Sequence, residues 1–209
     1  MKKTKIGIIV LPLLCFFVSV KAQQKVVAEC TVTYNIQSTA QSETDDPLKN
    51  SSKIVYIKGN DSRIDIVSAS FTQSLIYNRT TATATILREF GANKFISKLD
   101  NAKWLAENKK FEGALITILN ETKIILGYEC KKATLTLKDG TVYELFFATA
   151  IIPSVKEFEY IFKDIPGFVL EYDAIDAKGK KIHYIATQIN LSPVAVSKFD
   201  IPTSGYRIM

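Results

Sequence analysis

Residues 123–148 read KIILGYECKKATLTLKDGTVYELFFA, and Asp139-Gly140 inside that run is the strongest hairpin signal in the chain. Asp-Gly accepts the positive φ that tight hairpin turns need, and β-branched and aromatic residues stand on both sides of it. The spacing predicts a strand over 123–138, bent near Gly127, and a partner strand over 141–148. In the second strand Tyr143, Leu145 and Phe147 share one face while Phe146 lies on the other. An antiparallel sheet is therefore the frame into which the rest of the chain must fit.

Toward the N-terminus the pattern continues. Over 26–36, Val26, Ala28, Cys30, Val32, Tyr34 and Ile36 fall on one face, and Glu29, Thr31, Thr33 and Asn35 on the other, which reads as a half-buried strand. Gly59-Asn60 joins strands at 54–58 and 63–67 into a second hairpin. Further strands are expected at 71–77, 81–87, 94–99 and 114–119, the last ending in a turn at Asn120-Glu121. Residues 103–110 carry only Trp104 and Leu105 as large apolar anchors, followed by Phe111, and read as a loop with one helical turn. Residues 38–52 place Glu43, Asp45, Asp46 and Pro47 among Ser, Thr and Asn, the composition of a long exposed polar loop.

Toward the C-terminus, Pro153-Ser154-Val155-Lys156-Glu157 reads as a helix start, with Ser154 as cap and Glu157 completing an S-x-x-E box. Phe158, Ile161 and Phe162 then share a face. Pro166 disfavours helical geometry at Ile165, so the helix is short. Ile165-Pro166-Gly167-Phe168 suits a type II turn with positive φ at Gly167. Strands at 168–174 and 181–191 follow, joined by a turn at Lys178-Gly179. The second is apolar on both faces, with Ile182, Tyr184 and Ala186 on one and Ile185, Ile189 and Leu191 on the other. The fold class is mainly β, with α+β character in minor part: a large antiparallel sheet carrying one or two short helices on one face.

The chain has 209 residues, 47% hydrophobic and 23% charged, a globular composition that excludes a disordered or collagen-like protein. Its formal charge of +6 raises nucleic acid or an anionic membrane as partners. Much of that charge sits at the start. Lys2, Lys3 and Lys5, an apolar run over 6–18 and Val20-Lys21-Ala22 form the pattern of a secretory signal peptide over 1–22. The run is too short for the roughly 20 residues of a membrane span. Cys15 falls within it, but Leu14 stands where a lipidation motif wants a small residue, so cleavage after Ala22 is preferred. Cleavage removes four lysines and no acid and leaves a single β-rich domain over 23–209 with a net charge of +2. Nucleic acid is thereby excluded as a partner, no aromatic-interleaved basic patch being present.

Two blocks carry a family resemblance. Asn120-Glu121-Thr122-Lys123-Ile124-Ile125-Leu126-Gly127-Tyr128-Glu129-Cys130-Lys131-Lys132-Ala133 resembles the E-x-K-x-I-x-G-Y-x-C-x-K-A block of the GLPGLI family, exported proteins of Bacteroidetes. Ile165-Pro166-Gly167-Phe168-Val169-Leu170-Glu171 resembles that family's naming motif, with Asp164 in place of its first Gly, and Phe168 and Val169 in place of Leu and Ile. The resemblance covers under a third of the chain. It implies a structural role for Gly127, Tyr128, Pro166 and Gly167 at bends and on strands, and it carries no biochemical activity. By analogy of architecture it implies a curved, half-barrel-like sheet similar to those of periplasmic lipoprotein carriers, whose concave face holds a hydrophobic ligand.

Residues suited to catalysis are few. His183 is the single histidine, so any Ser or Cys triad would have to use it. No H-x-x-x-H and no C-x-x-C occurs, which argues against a transition-metal site, and no glycine-rich phosphate loop occurs. No cofactor is expected. Carboxylates pair at Asp45-Asp46, Glu157/Glu159 and Glu171/Asp173; the last two share a strand face, where they read as solvated or as acid–base or calcium-binding groups. Cys30 and Cys130 would remain after cleavage, either as a disulfide in an oxidising compartment or as two buried thiols. Tyr143, Leu145, Phe147, Phe158, Phe162, Phe168 and Tyr172 form either the core between sheet and helix or the wall of an apolar cavity for a lipid-like ligand.

The leading expectation is an exported, non-enzymatic binding or carrier module of the periplasm or the periplasmic face of the outer membrane, with a hydrophobic, lipid-like ligand. The alternative is an accessory protein docking on an outer-membrane partner through a sheet edge or the loop at 38–52. A hydrolase ranks third, and it requires His183, Glu171 and Asp173 to converge on one cleft.

Overall fold

The computed structural model describes residues 23–38, 51–175 and 179–209. The expected signal peptide and residues 39–50 of the expected loop lie outside them, as does Lys178 of the expected turn. In chain order the strands are β1 Lys25–Val27, β2 Glu29–Ser38, β3 Ser52–Lys58, β4 Asp61–Val67, β5 Thr72–Asn78, β6 Thr83–Phe90, β7 Asn93–Leu99, β8 Leu115–Ile125, β9 Tyr128–Thr136, β10 Val142–Ala148, β11 Ile151–Pro153, β12 Phe168–Ile175, β13 Lys181–Asn190 and β14 Arg207–Ile208. Twelve of these described strands form one open sheet in the order β14-β7-β6-β5-β4-β3-β2-β13-β12-β10-β9-β8. Its ladders are antiparallel except for the short edge pair β14 on β7, and β1 and β11 make a separate parallel pair.

Twelve strands laid flat would span about 50 Å at the usual ~4.8 Å spacing. Yet Leu99 of β7, Tyr77 of β5, Cys30 of β2, Leu170 of β12 and Cys130 of β9 belong to one contiguous buried cluster. The sheet must therefore curl around its own core. Register shifts at Ile118/Thr122, Phe146/Phe147 and Ala186/Gln188 supply bends of the kind that bulges produce. Two short helical segments close over the inner face: α1 (Asn101–Asn108) and a 3₁₀ segment over Lys156–Phe162, called the strap below. Trp104 of α1 joins them, packing on Tyr77 at 5.2 Å and edge-on to Tyr160 at 6.1 Å. The large open sheet with short helices agrees with the sequence reading.

Several local expectations need correction. Residues 103–108 belong to the α-helix Asn101–Asn108, which Asp100 caps by accepting a hydrogen bond from the Lys103 amide, and a 3₁₀ turn over Lys109–Phe111 follows. Asn120-Glu121 is no turn but a bulge within the 11-residue β8. The turn falls instead at Leu126-Gly127, both with positive φ, between the paired Ile125 and Tyr128. Such a two-residue connection suits hairpin twist and needs a glycine-like conformation at both positions. Gly127 is thus the hinge of a hairpin rather than a bend in one strand. At the N-terminus the alternation breaks at Ala28: Val26 is 61% exposed while Val27 is buried, because β1 leaves the main sheet to pair with β11.

The strap also departs from expectation. Ser154 makes no cap; its hydroxyl donates to the Gly59 carbonyl at 2.8 Å. The segment is 3₁₀ and is interrupted by non-helical geometry at Glu159 (φ −126°, ψ 85°). Gly167 lacks the expected positive φ. Its reason for being glycine is space: a Cβ there would lie 2.2 Å from the Ala148 carbonyl oxygen and 2.6 Å from the Phe147 ring. The bulge at Thr187 brings Ile189 to the core side with Ala186 and Tyr184, and Leu191 is 44% exposed, so β13 is covered less evenly than its sequence suggests.

Candidate functional site

Lys53 is the residue that sequence reasoning missed. On β3 it shares a face with Val55 and Ile57, and all three are essentially inaccessible to solvent. The signal was present: a lysine at a core-facing position of an otherwise apolar strand. A buried ammonium costs several kcal/mol unless it is paired and hydrogen-bonded, and the four adjacent strands β3, β2, β13 and β12 supply the partners. Register sets Tyr34 directly opposite Lys53 and Tyr172 directly opposite Tyr184. The ammonium lies 4.9 Å from the ring centres of Tyr34 and Tyr172 and 5.7 Å from that of Tyr184, within cation–π range.

The counter-charge comes from the strap. Lys53 Nζ donates to Glu159 Oε2 at 2.6 Å and to the Tyr172 hydroxyl at 2.9 Å, and that hydroxyl donates in turn to Glu159 Oε1 at 2.9 Å. The three groups close a ring of charge-assisted hydrogen bonds. Burial pushes the Lys53 ammonium below its usual range, opposed by the Glu159 carboxylate. Burial also raises the phenols, helped by the same negative charge: Tyr34 and Tyr172 well above 10, and Tyr184 to about 12. Tyr34 donates to the Val169 carbonyl at 2.7 Å.

A cavity of about 280 Å³ opens beside this ring. Ile64, Ile66, Phe111, Ile161, Phe162 and Tyr184 supply apolar wall, the buried Lys53 and half-buried Glu159 are its charged pair, and Lys110 and Ile175 stand exposed at its rim. The seven aromatic and apolar residues singled out from the sequence divide here. Tyr143, Phe162 and Tyr172 line the cavity, whereas Leu145, Phe147, Phe158 and Phe168 do not; they are buried in the packed core. A larger hollow of about 510 Å³ lies at the β7 edge under the C-terminal residues, lined by Ile96, Lys98, Ile201, Pro202, Tyr206 and Ile208 among others. It holds no buried charge, so the smaller cavity is the better-equipped site.

The opposite face of the sheet carries the acid–histidine group. Asp173 and His183 are a cross-strand pair, with Asp173 Oδ1 2.8 Å from His183 Nδ1, and Glu171 Oε1 lies 3.7 Å from His183 Nε2. Lys123 ion-pairs with Glu171, and its ammonium sits 4.0 Å over the Phe146 ring. For Asp173, burial raises the carboxyl, but hydrogen bonds from Lys181 and His183 outweigh it and hold the group below its usual range. These three residues therefore do converge, around a depression of about 90 Å³ lined by Glu144, Leu145, Phe146, Glu171, Tyr172, Asp173 and His183. No Ser, Thr or Cys is among them, so the group has no hydroxyl or thiol nucleophile of the kind a triad uses, and each histidine nitrogen faces a carboxylate.

Cys30 and Cys130 are buried free thiols. Three strands, β13, β12 and β10, stand between β2 and β9 in the sheet, and the two thiols are not joined in this structure. Burial raises them to about 12 and about 11, far from a reactive thiolate. Among the described residues no group of three or more His, Cys, Asp and Glu is placed to hold a metal ion. No helix among them is long and apolar enough to cross a membrane.

No family model matches the chain, and no curated protein matches it significantly. Solved structures do. PNGF-II, in two crystal forms, is similar over 87% and 86% of this chain at 15% identity, with TM-scores of 0.51 and 0.50. The chain spans about a third of PNGF-II's length (31% and 30%). MucB is similar over 84% of this chain and 58% of its own, at 11% identity and a TM-score of 0.45. A LolA superfamily protein from Nitrosomonas europaea is similar over 84% and 91%, at 13% identity and a TM-score of 0.36. The likeness to part of PNGF-II shows a shared fold and nothing about activity; the other two are weaker, and no argument below rests on them.

Proposed function

We propose that this chain is an exported, non-enzymatic binding module that takes an apolar, lipid-like ligand into the cavity between strap and sheet. The observation that carries the reading is the cavity itself: an aromatic and aliphatic pocket of about 280 Å³ opening beside an ion pair whose lysine is buried. That volume is at the lower end of small-molecule sites and suits one aliphatic chain. The paucity of nucleophile–base pairs supports a non-enzymatic role, and the basic start followed by an apolar run supports export. We propose membership of the GLPGLI family on the GYECKKA and IPGFVLE blocks, in which Gly127 turns a hairpin and Gly167 permits a close backbone approach.

Native mass spectrometry of protein purified without detergent from its own envelope is the test. A retained small hydrophobic mass, lost on mild organic extraction and replaced by an added fluorescent fatty-acid probe, is the expected result. An empty chain with no probe uptake would overturn the reading.

The accessory-protein reading keeps one observation in its favour. β8 is a sheet edge that exposes Leu115, Ile118 and Ile124 by 66%, 48% and 68%, and such an edge is open to strand addition. Crosslinking in envelope fractions distinguishes the two, since this alternative yields a stable protein adduct in place of a small ligand.

A further inference from the structure

We infer that the cavity recognises an aliphatic monocarboxylate, whose head group displaces Glu159 from Lys53 and so unlatches the strap. This rests on reading the cavity as a binding site and adds the chemistry of the ligand's head. Three observations carry it.

First, the cavity wall contains a cation with nowhere to go. Lys53 is anchored mid-sheet on β3, 1% exposed and enclosed by three tyrosine rings. It has three N–H donors, and hydrogen bonds to Glu159 and the Tyr172 hydroxyl engage two of them. A carboxylate reaching the cavity floor meets a desolvated ammonium there, where charge-assisted hydrogen bonds are strong.

Second, the two partners of the ion pair are not equally fixed. Lys53 lies between paired strands, whereas Glu159 belongs to a seven-residue 3₁₀ segment whose helical geometry is interrupted at that very residue. Its side chain is 19% exposed against 2% for Lys53. Glu159 can therefore swing to water at small desolvation cost while Lys53 cannot, and the asymmetry assigns the exchange to the carboxylate. An incoming cation gains nothing by comparison, since it would have to evict a strand residue.

Third, the exchange conserves charge and bonding. One carboxylate leaves Lys53 and the Tyr172 hydroxyl as another arrives, so no buried charge is left unpaired at any stage. Lys110 at the rim offers a second positive charge on the approach. The strap carries Ile161 and Phe162 of the cavity wall as well as Glu159, so releasing Glu159 loosens the wall through which an aliphatic chain enters.

Calorimetric titration of the full exported chain with decanoate and with decanol at neutral pH is the test. Decanoate is expected to bind at least tenfold more tightly than decanol, and amide hydrogen exchange across 156–162 is expected to quicken with decanoate alone. Glu159→Gln removes the competing carboxylate and should tighten decanoate binding by about tenfold relative to decanol. Lys53→Met combined with Glu159→Gln should erase the preference for the acid over the alcohol. Equal affinity of the wild-type chain for acid and alcohol would overturn the head-group assignment and leave the apolar cavity standing, a comparison that needs no variant to fold. Failure of both probes to bind the wild-type chain and Glu159→Gln alike would overturn the cavity reading itself, and the inference with it.

Discussion

The two faces of β12 hold the same kinds of groups under opposite conditions. Inward, Tyr172 joins Lys53 and Glu159 in a ring sealed by Tyr34, Tyr184 and the strap; outward, Glu171 and Asp173 meet His183, Lys123 and Lys181. Four charged groups and a histidine gather outside and two charged groups inside, yet the inner pair is energetically the more consequential. An ammonium out of reach of water has no substitute for its partner, whereas Lys181 and Lys123, 54% and 36% exposed, can exchange a carboxylate for water. Counting charges would have ranked the outer face first; solvent access reverses the ranking.

That contrast can be broken most directly at Glu159. Glu159→Ala strands the buried lysine and should cost about 3–5 kcal/mol in chemical denaturation, far more than Asp173→Asn on the outer face. An equal loss from Asp173→Asn would show that the two faces do not differ. Next in size is Gly167, where the strap returns to the sheet. Gly167→Ala drives a methyl into the Ala148 carbonyl and the Phe147 ring and should destabilise by about 1–3 kcal/mol, read as a lower unfolding midpoint at unchanged slope.

The tyrosines sharpen the comparison through pH. Tyr184 is raised to about 12, so between about pH 10 and 12 the folded chain keeps a proton that the unfolded chain has released, and stability falls as pH rises. Each such tyrosine contributes about 1.4 kcal/mol per pH unit in that window. Lys53, lowered by burial, works in the opposite sense up to its ordinary value near 10.5. Tyr184→Phe should therefore flatten the alkaline limb by about one such slope, checked by denaturant melts at pH 10 and 11. A limb as steep as wild type would mean that Tyr184 titrates normally.

The smallest effect belongs outside. Asp173 is held below its usual range, so its contribution is complete above about pH 4 and is lost as pH falls through the lowered value. Asp173→Asn should cost about 1 kcal/mol or less at neutral pH and should remove that share of the acid limb, followed by melts between pH 2 and 5.

Much of the sheet was legible because strands and hairpins leave local marks. The alternation over Cys30, Val32, Tyr34 and Ile36, the Gly59-Asn60 turn and the Asp139-Gly140 turn each express backbone chemistry within a few residues. The errors fell where a distant neighbour overrode the local signal. Ser154 looks like a helix cap but bonds to Gly59, and Gly167 looks like a turn glycine but is selected by Ala148 and Phe147. Asp100 shows the reverse: a readable cap, overlooked because the helix after it buries only Trp104 and Asn108. The candidate site was less legible still. Tyr34 and Tyr172 were placed on the core side of their strands, but nothing local tells that a lysine at 53 will face them.

Composition and periodicity were enough to establish a β-rich, hairpin-built chain poor in catalytic groups, because those properties follow from residue type and a repeat of two. Whether the aromatics make a plain core or a cavity wall, and whether a charge lies in water or among rings, depended on β3, β2, β13 and β12 pairing in one register with the strap across them. Residues 34, 53, 159, 172 and 184 meet only after those strands have paired and the sheet has curled, and the low dielectric that gives the meeting its energetic weight exists only once the core has closed.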